Sequence, residues 1–471
     1  GVGMKIVVCV KQVNNELNPF DACALEAALE QASNVPGTEI TVISMGRPQV
    51  KDMLRGLTRL GVDRAILLTD NAFAGADTLA TSYALSLAVK KLNPDLIICG
   101  RQSVDGDTAQ VGPCLAQMLG MPQITNVLKI NEINSHISCT GRAGEECVPL
   151  PALITVERIN TLRFPSIRAK AKEVEIWNAK DIGADISRCG LRGSPTRVLK
   201  TYESNIGQRK CKFIKPEELL SVIESSKALD RTGLKPVQSD IKLDEVWTVG
   251  EELREIASSI AKEVKVIEKQ APEKIAALAK EHCPQVILWN SDLWGRSNAP
   301  RVAAILQTGL CADCTSLETD GKKLFMYRPA FGGSLMAKIE CITRPQMATV
   351  RTIQDSKNEI IVAGGRGAKD DFELLKKFAQ KIGAELGASR GLVDLGLAPY
   401  EMQIGLTGKS VKPKIYIACG ISGSVQHTCA IEQAGTIIAI NKDRNARIFE
   451  YADYGIAGSI NDVLSIDKVL S

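Results

Sequence analysis

Short apolar runs, each followed by a stretch with helical spacing, recur from the first residues onward. "KIVVCV" precedes "DACALEAALEQA", "EITVISMG" precedes "VKDMLRGLTRLG", "RAILLTD" precedes "DTLATSYALSLAVKKL", and "DLIICG" closes the series. Continuous apolar strands alternating with helices are what a parallel sheet covered on both faces requires. The pattern predicts an α/β fold.

The same pattern returns later in the chain. "PDLIICGRQSVDGDTAQVGPCLAQMLGMPQITNV" (94–127) lies over "PQVILWNSDLWGRSNAPRVAAILQTGLCADCTSL" (284–317): each runs apolar strand, polar loop, helix, glycine, second strand. Two related parallel-sheet domains of nucleotide-binding type are expected, over residues 1–205 and 241–349. Residues 206–240, richer in charge and in Gly, Ser and Pro, read as a linker with a short helix at "PEELLSVIESS". From about Val350, "EIIVAGGRG", "DDFELLKKFAQKIG", "KIYIACGISG" and "TIIAIN" alternate strand and helix again and predict a doubly wound domain over 350–471.

Composition narrows the function classes. A net charge of +4 over 471 residues, with no block of like charges, offers no phosphate-tracking surface, so no nucleic-acid partner is expected. The fourteen cysteines stand mostly alone in apolar surroundings, as at Cys9, Cys99, Cys114 and Cys419, and read as free thiols of a reducing compartment. Cys311 and Cys314 in "LCADCTS" have CxxC spacing but no second pair and no nearby histidine; they read as two incidental thiols in a loop. No apolar run has the length a bilayer demands, and the opening "GVGMKIVVCVKQV" lacks the apolar core of a signal peptide. A cytoplasmic protein without a membrane span is expected.

In open α/β sheets, ligands sit beyond the carboxyl ends of the strands, where the next helix offers free N–H groups to an anion. The third domain has two such places: "VAGGRGAKD", with glycines around Arg366, and "ACGISGSVQH", with Ser422 and Gly423 leading to His427. Each reads either as a tight turn or as a phosphate cradle, and His427 either as a structural donor or as a ligand. Together with "GASRGLVDLG" and "QIGLTGKS" they form one nucleotide-sized site from four segments. In the first domain "CGRQSVDGDTAQVG" supplies carboxylates, hydroxyls and amides ahead of a helix starting near Gln110 or Val111. Asp105 and Asp107 read as helix caps or as two members of a metal site with no third ligand at a useful spacing; an adenine-nucleotide loop is the preferred reading. The three histidines are far apart and no nucleophile motif is present, so no catalytic residue and no metal site are assigned.

These segments resemble the electron transfer flavoproteins, with the two usual subunits joined in one chain. "MKIVVCVKQV", "LNPFDACALEAAL", "GRQSVDGDTAQVGP" and "LRGSPTRV" resemble the beta subunit; "RPAFGGSLMAKI", "RPQMATVR", "GASRGLVD", "PKIYIACGISGSVQH", "IIAINKD" and "ADYGIAG" resemble the alpha subunit. The resemblance implies an FAD-mediated electron carrier between a dehydrogenase, or NADH through a second flavin, and an acceptor such as an acyl-CoA dehydrogenase or a quinone oxidoreductase. The alternative is an adenine-nucleotide-binding module without a redox role. Implied FAD contacts are Arg366, Ser389, Arg390, Ile404, Gly405, Leu406, Thr407, Ser422, Gly423, Ser424, Val425, Gln426, His427, Asn441, Asp453 and Tyr454. Arg390 and His427 would offset the negative charge a flavin gains on reduction, and Thr407 would face its N5.

A second FAD or AMP is implied at Cys9, Asn18, Pro19, Phe20, Asp21, Met45, Gly100, Asp105, Asp107, Thr108, Ala109, Gln110 and Val111. "AFAGADTLATS" looks like the branch that bifurcates electrons from NADH. Three departures stand against simple transfer. Leu406 replaces the family's usual glutamine, "NNEL" shortens a hairpin, and "NTLRFPSIRAKAKEVEIW" is short in the segment relatives use to dock a partner.

Overall fold

The computed structural model describes residues 3–142, 144–203, 209–227, 241–331, 335–354 and 359–465. They divide into two compact units: one built from the chain up to Thr201 with residues 241–331 and 336–351, the other chiefly from 209–227 and 359–465.

In the N-terminal unit, β1 (Lys5–Cys9), β2 (Glu39–Met45), β3 (Arg64–Leu68), β4 (Leu96–Gly100), β5 (Gln123–Ile133), β6 (His136–Gly141), β7 (Gly144–Pro149), β8 (Ala152–Val156) and β9 (Val174–Trp177) form one sheet in the order β9-β3-β2-β1-β4-β8-β5-β6-β7. Pairings are parallel up to β5, and β6 and β7 extend the edge as antiparallel strands. The central strands are apolar on both faces because helices cover both: Ile6, Val8, Ile40 and Ile98 pack on one side, Val7, Ile43, Ile66 and Ile97 on the other. Three helices matter for the site: α1 (Pro19–Asn34), α2 (Thr78–Leu92) and α3 (Val111–Met118).

The strand β10 (Thr196–Glu203) precedes the second copy, in which β11 (Leu243–Val249), β12 (Ala261–Ile267), β13 (Val286–Asn290), β14 (Leu310–Cys314) and β18 (Gln346–Val350) form a sheet in the order β12-β11-β13-β18-β14. That is the order β2-β1-β4-β8-β5 of the first copy, with α4 (Leu293–Leu306) where α3 stands, so the sequence duplication is a duplication of topology. Cys311 and Cys314 are not in a loop. Both are buried within β14, where a register shift between them lets the strand turn both thiols inward. β15 (Ser316–Thr319), β16 (Leu324–Ala330) and β17 (Leu335–Cys341) complete a four-stranded sheet with β10, in the order β10-β17-β16-β15.

The C-terminal unit has a parallel sheet of β19 (Ile360–Gly364), β20 (Glu385–Ser389), β21 (Gln403–Ile404), β22 (Ile415–Cys419), β23 (Thr436–Asn441) and β24 (Tyr454–Ala457) in the order β24-β23-β22-β19-β20-β21. Residues 209–227, which the sequence pattern assigns to a linker, contribute to this unit. Lys212–Phe213 pairs with β24, and the helix Leu219–Lys227 buries Leu219 and Ile223 in its core. The rest of the linker reading lies outside the described residues. None of the described helices is long and apolar enough to cross a membrane.

Candidate functional site

The carboxyl ends of β1, β2, β3 and β4 in the N-terminal unit open onto a cavity of about 1030 Å³. Of the residues expected at a second nucleotide, Cys9, Asn18, Asp21, Met45, Gly100, Thr108, Ala109, Gln110 and Val111 line it. Pro19, Phe20, Asp105 and Asp107 do not. Phe20 is buried beneath the Arg101 guanidinium, 5.4 Å from its ring centre. Asp105 is taken by the Lys11 ammonium at 2.7 and 2.9 Å, and Asp107 is buried and accepts from Gln102 Nε2 at 3.0 Å. No group of three or more metal-ligating side chains occurs among the described residues.

The loop from Gly100 to Gln110 is strained where it turns over the cavity. Asp107 and Ala109 have φ of 54° and 55°, a left-handed backbone that costs a side-chain-bearing residue of order 1 kcal/mol or more. Gly100 is required by packing: a Cβ there would stand 2.4 Å from Asp21 Oδ1. The carboxylate can therefore reach across the end of β4, where its Oδ2 accepts the Lys11 N–H at 2.8 Å.

Helix α3 opens into the cavity without a side-chain cap, which leaves its first N–H groups to a ligand. Its counterpart α4 is closed by its own sequence: Asp292 accepts from Gly295 N at 2.7 Å and meets Lys269 at 3.3 Å. Of the two copies, the first keeps its helix start free. The second copy instead supplies a wall of the first copy's cavity through Leu310, Cys311, Ala312, Arg328 and Ile339. Sequence reasoning missed Arg328, which is 6% exposed, donates from Nε to Ala312 O at 2.7 Å and has no partner for Nη2. A buried guanidinium with a free donor on a cavity wall suits an anionic ligand. The pattern "AFAGADTLATS" also lines the cavity, from Phe73 to Thr78 and at Thr81.

In the C-terminal unit, parallel strands bring most of the remaining expected residues to one edge. Arg366 follows β19, Ser389 and Arg390 end β20 and begin the next turn, Gly405 to Thr407 follow β21, Ser422 to His427 follow β22, and Asn441 ends β23. The loops interlock through their backbones: Gly367 N donates to Gly420 O at 3.0 Å, Leu406 N to Gln426 O at 2.6 Å, and Asn441 Nδ2 to Ile421 O at 2.9 Å. Arg366, Ser422, Ser424 and Gln426 stay exposed on that rim. Arg390 Nε reaches Asp394 at 3.3 Å, and the Thr407 hydroxyl accepts from Gln403 at 2.6 Å. Leu406 is buried.

His427 is 4% exposed, with Nε2 2.9 Å from the Tyr416 hydroxyl. Nδ1 makes no hydrogen bond of sound geometry, although the Ile404 backbone lies near enough to favour its protonation. Burial dominates and pushes its pKa down to about 4, so the imidazole is neutral at pH 7 and acts as a hydrogen-bonding group rather than a cation. Because the folded ring refuses a proton the unfolded ring accepts, stability of this unit is expected to fall by about 3 kcal/mol as pH drops from 6.5 to 4. His427→Asn should flatten that slope in thermal melts across the window.

Two of the expected residues lie away from that rim, by chain direction. Asp453 and Tyr454 stand at the amino end of β24, in register with Ile437 and Ile438, whereas the carboxyl edge is marked by Asn441 beside Ala457. Asp453 instead holds Arg209 Nη1 at 2.5 Å and accepts Ile437 N at 2.8 Å. The residues that reach the rim from β24 are Gly458, whose N donates to Asn441 O at 3.0 Å, and Ser459. A strand pattern ending in glycine, "YGIAG", is the signal that could have found them.

This edge fits a dinucleotide: exposed polar side chains surround closely approaching backbone, and a buried imidazole nitrogen beneath them lacks a good bond. Comparison with known proteins bears on the family. The family description "Electron transfer flavoprotein domain" matches residues 6–182 and 252–369, and "Electron transfer flavoprotein FAD-binding domain" matches 355–432. The chain is 42% identical over 238 residues to electron transfer flavoprotein subunit alpha of Thermoanaerobacterium thermosaccharolyticum, covering 41% of this chain and 72% of that one. It is 42% identical over 233 residues to the beta subunit of Clostridium acetobutylicum (43% and 89%), and 42% over 229 residues to caffeyl-CoA reductase-Etf complex subunit CarD of Acetobacterium woodii (42% and 87%). With a beta-type half before an alpha-type half that ends in the FAD-binding domain, this single chain belongs to the electron transfer flavoprotein family.

Proposed function

We propose that the chain is a two-nucleotide electron carrier: FAD at the carboxyl edge of the C-terminal sheet, and a second adenine dinucleotide, FAD, in the cavity of the N-terminal unit. Bound flavin supplies the capacity to accept electrons in pairs and release them singly. The chain's own residues supply the rest. Exposed Arg366, Ser422 and Gln426 would hold the first FAD, while neutral His427, anchored to Tyr416, would offer a hydrogen bond. At the second site the open start of α3 and the unpartnered donor of Arg328 would receive the diphosphate.

The single observation that carries the second nucleotide is Arg328, a buried guanidinium on the wall of a cavity it does not fill. The volume, about 1030 Å³, lies at the upper end of the range of ligand cavities and favours a dinucleotide over AMP. Release of bound nucleotide by denaturation, then chromatography, is expected to give two FAD per chain. One FAD with one AMP would replace the dinucleotide reading at the second site, and a chain without flavin would overturn the proposal. Arg328→Met should lose the second nucleotide, at least about tenfold in affinity, and keep the first.

The redox partner reading rests on the segment after β8. Phe164 and Ile167 are 94% and 98% exposed, among Arg163, Arg168, Lys170 and Lys172. Two large apolar side chains held in water on a basic loop suit a partner with an apolar pocket rimmed by carboxylates. An acyl-CoA dehydrogenase-like protein or a quinone oxidoreductase are the partner classes, and CarD, named for a caffeyl-CoA reductase complex, is consistent with the first. Bifurcation from NADH would require both flavins. Reduction of the purified protein by NADH, or its failure, distinguishes a bifurcating enzyme from a passive carrier.

A further inference from the structure

We propose that Asp21 takes up a proton when an anionic adenine nucleotide enters the cavity of the N-terminal unit, so that binding there is coupled to pH and Asp21 stands in the complex as a neutral hydrogen-bond donor. The inference rests on the reading that this cavity holds such a nucleotide.

Asp21 is the third residue of α1, 6% exposed, and belongs to the cavity lining. Its carboxyl accepts from Lys11 N at 2.8 Å, with the Asn18 amide and the Gly100 N–H nearby. Burial outweighs them together with the Lys11 charge and pushes its pKa up to about 7. The group is therefore divided between its two forms at neutral pH.

The charged and titratable groups facing it are already committed. The Lys11 ammonium is held outward by Asp105. Arg101 faces Glu157 at 3.5 Å and donates to Gln102 Oε1 at 2.7 Å. From the paired strands below, Cys9 and Cys99 present thiols, and the burial and mutual contact that raise Cys99 keep that thiol uncharged.

A nucleotide filling the cavity closes off the little solvent access that Asp21, 6% exposed, retains, and it brings its own negative charge. Both changes favour the protonated carboxyl. The added proton lets Asp21 donate to a ligand acceptor instead of repelling it.

The test is calorimetric titration of FAD into the full chain after dialysis has emptied this cavity, in two pH 7.5 buffers of different ionisation enthalpy. FAD is the probe because its diphosphate lacks the monoester proton that titrates near 6 in AMP. Expected is uptake of about three quarters of a proton per FAD bound, with affinity falling about fifteenfold between pH 7 and 8.5. Asp21→Asn should bind with no proton uptake and no pH dependence. Heat without buffer dependence in the unaltered protein overturns the inference whatever the variant does, and so does uptake that persists in Asp21→Asn. If FAD, AMP and ADP all give no heat, the nucleotide reading of the cavity falls, and this inference falls with it.

Discussion

Gly423→Ala is expected to leave the C-terminal unit with less than about a tenth of its FAD and to lower its stability by about 3 kcal/mol or more. The residue has φ of 85°, and a Cβ built on it would stand 2.1 Å from Ile448 N and 2.5 Å from Ile448 Cα. Those are backbone atoms tied in place, since Ile448 N donates to Ser422 O at 3.1 Å. The methyl group cannot be accommodated by a rotamer change. It must push apart the turn after β22 and the segment that follows β23, and those two support the rim on which Ser422, Gln426 and Asn441 lie. Gly396→Ala is the matched control: φ there is 73°, but nothing lies within 4 Å of the added carbon. It should cost about 1 kcal/mol and keep its flavin. Flavin absorbance per chain and thermal melts of both variants decide the matter; a Gly423→Ala protein with full flavin would mean the loop is not built this way.

Arg351→Met is expected to destabilise the N-terminal unit by about 3–5 kcal/mol, because it strands a charge. Asp313 is 2% exposed and receives Arg351 Nε at 3.1 Å, Arg351 Nη2 and the Ser291 hydroxyl at 3.0 Å. Burial alone would raise its pKa. The charges of Arg351 and Arg296 and the bonds from Arg351 and Ser291 outweigh burial and hold the carboxyl well below its usual range. A carboxyl depressed in the folded state stabilises above its unfolded pKa, near 3.8, and that contribution disappears as pH falls. The deficit of Arg351→Met should thus be full at pH 7 and shrink below pH 4. Asp313→Asn combined with Arg351→Met should recover a large part of the loss at pH 7, since no buried charge remains unpaired. Denaturant unfolding of the single and double variants at pH 7 and 3 checks both statements.

That ion pair also explains a division of labour between the two copies of the fold. At the carboxyl edge of the second sheet, Asp313, Arg351, Ser291, Asp292 and Lys269 satisfy one another. The corresponding edge of the first sheet leaves a helix start and a cavity open. The duplicated topology leaves one face open and fills the other with a structural network.

The sequence by itself determined the element types, the parallel sheets and the edge on which ligands belong. Apolar strand runs and helical spacing are local properties, and in a parallel sheet chain direction places every strand-ending loop on the same side. This is why Gly405–Thr407, Ser422–His427 and Asn441, in segments about 15 residues apart, were legible as belonging to one edge. The duplication was legible for the same reason.

Only the tertiary structure decided which distant segments meet. Asp453 reads as a ligand by its motif, but it lies at the start of its strand, and one strand length of about 3.3 Å per residue puts it at the opposite edge, against Arg209. Arg209 itself comes from a stretch whose composition reads as linker, because a half-buried ion pair and bonds to distant carbonyls leave no periodic trace. Arg328 lies more than 200 residues from the loop it faces, and nothing in its own surroundings marks it as buried and unpaired. The charge of His427 was equally out of reach. Its identity was plain in the sequence, whereas its neutrality follows from burial, a sum over neighbours that only the folded chain assembles.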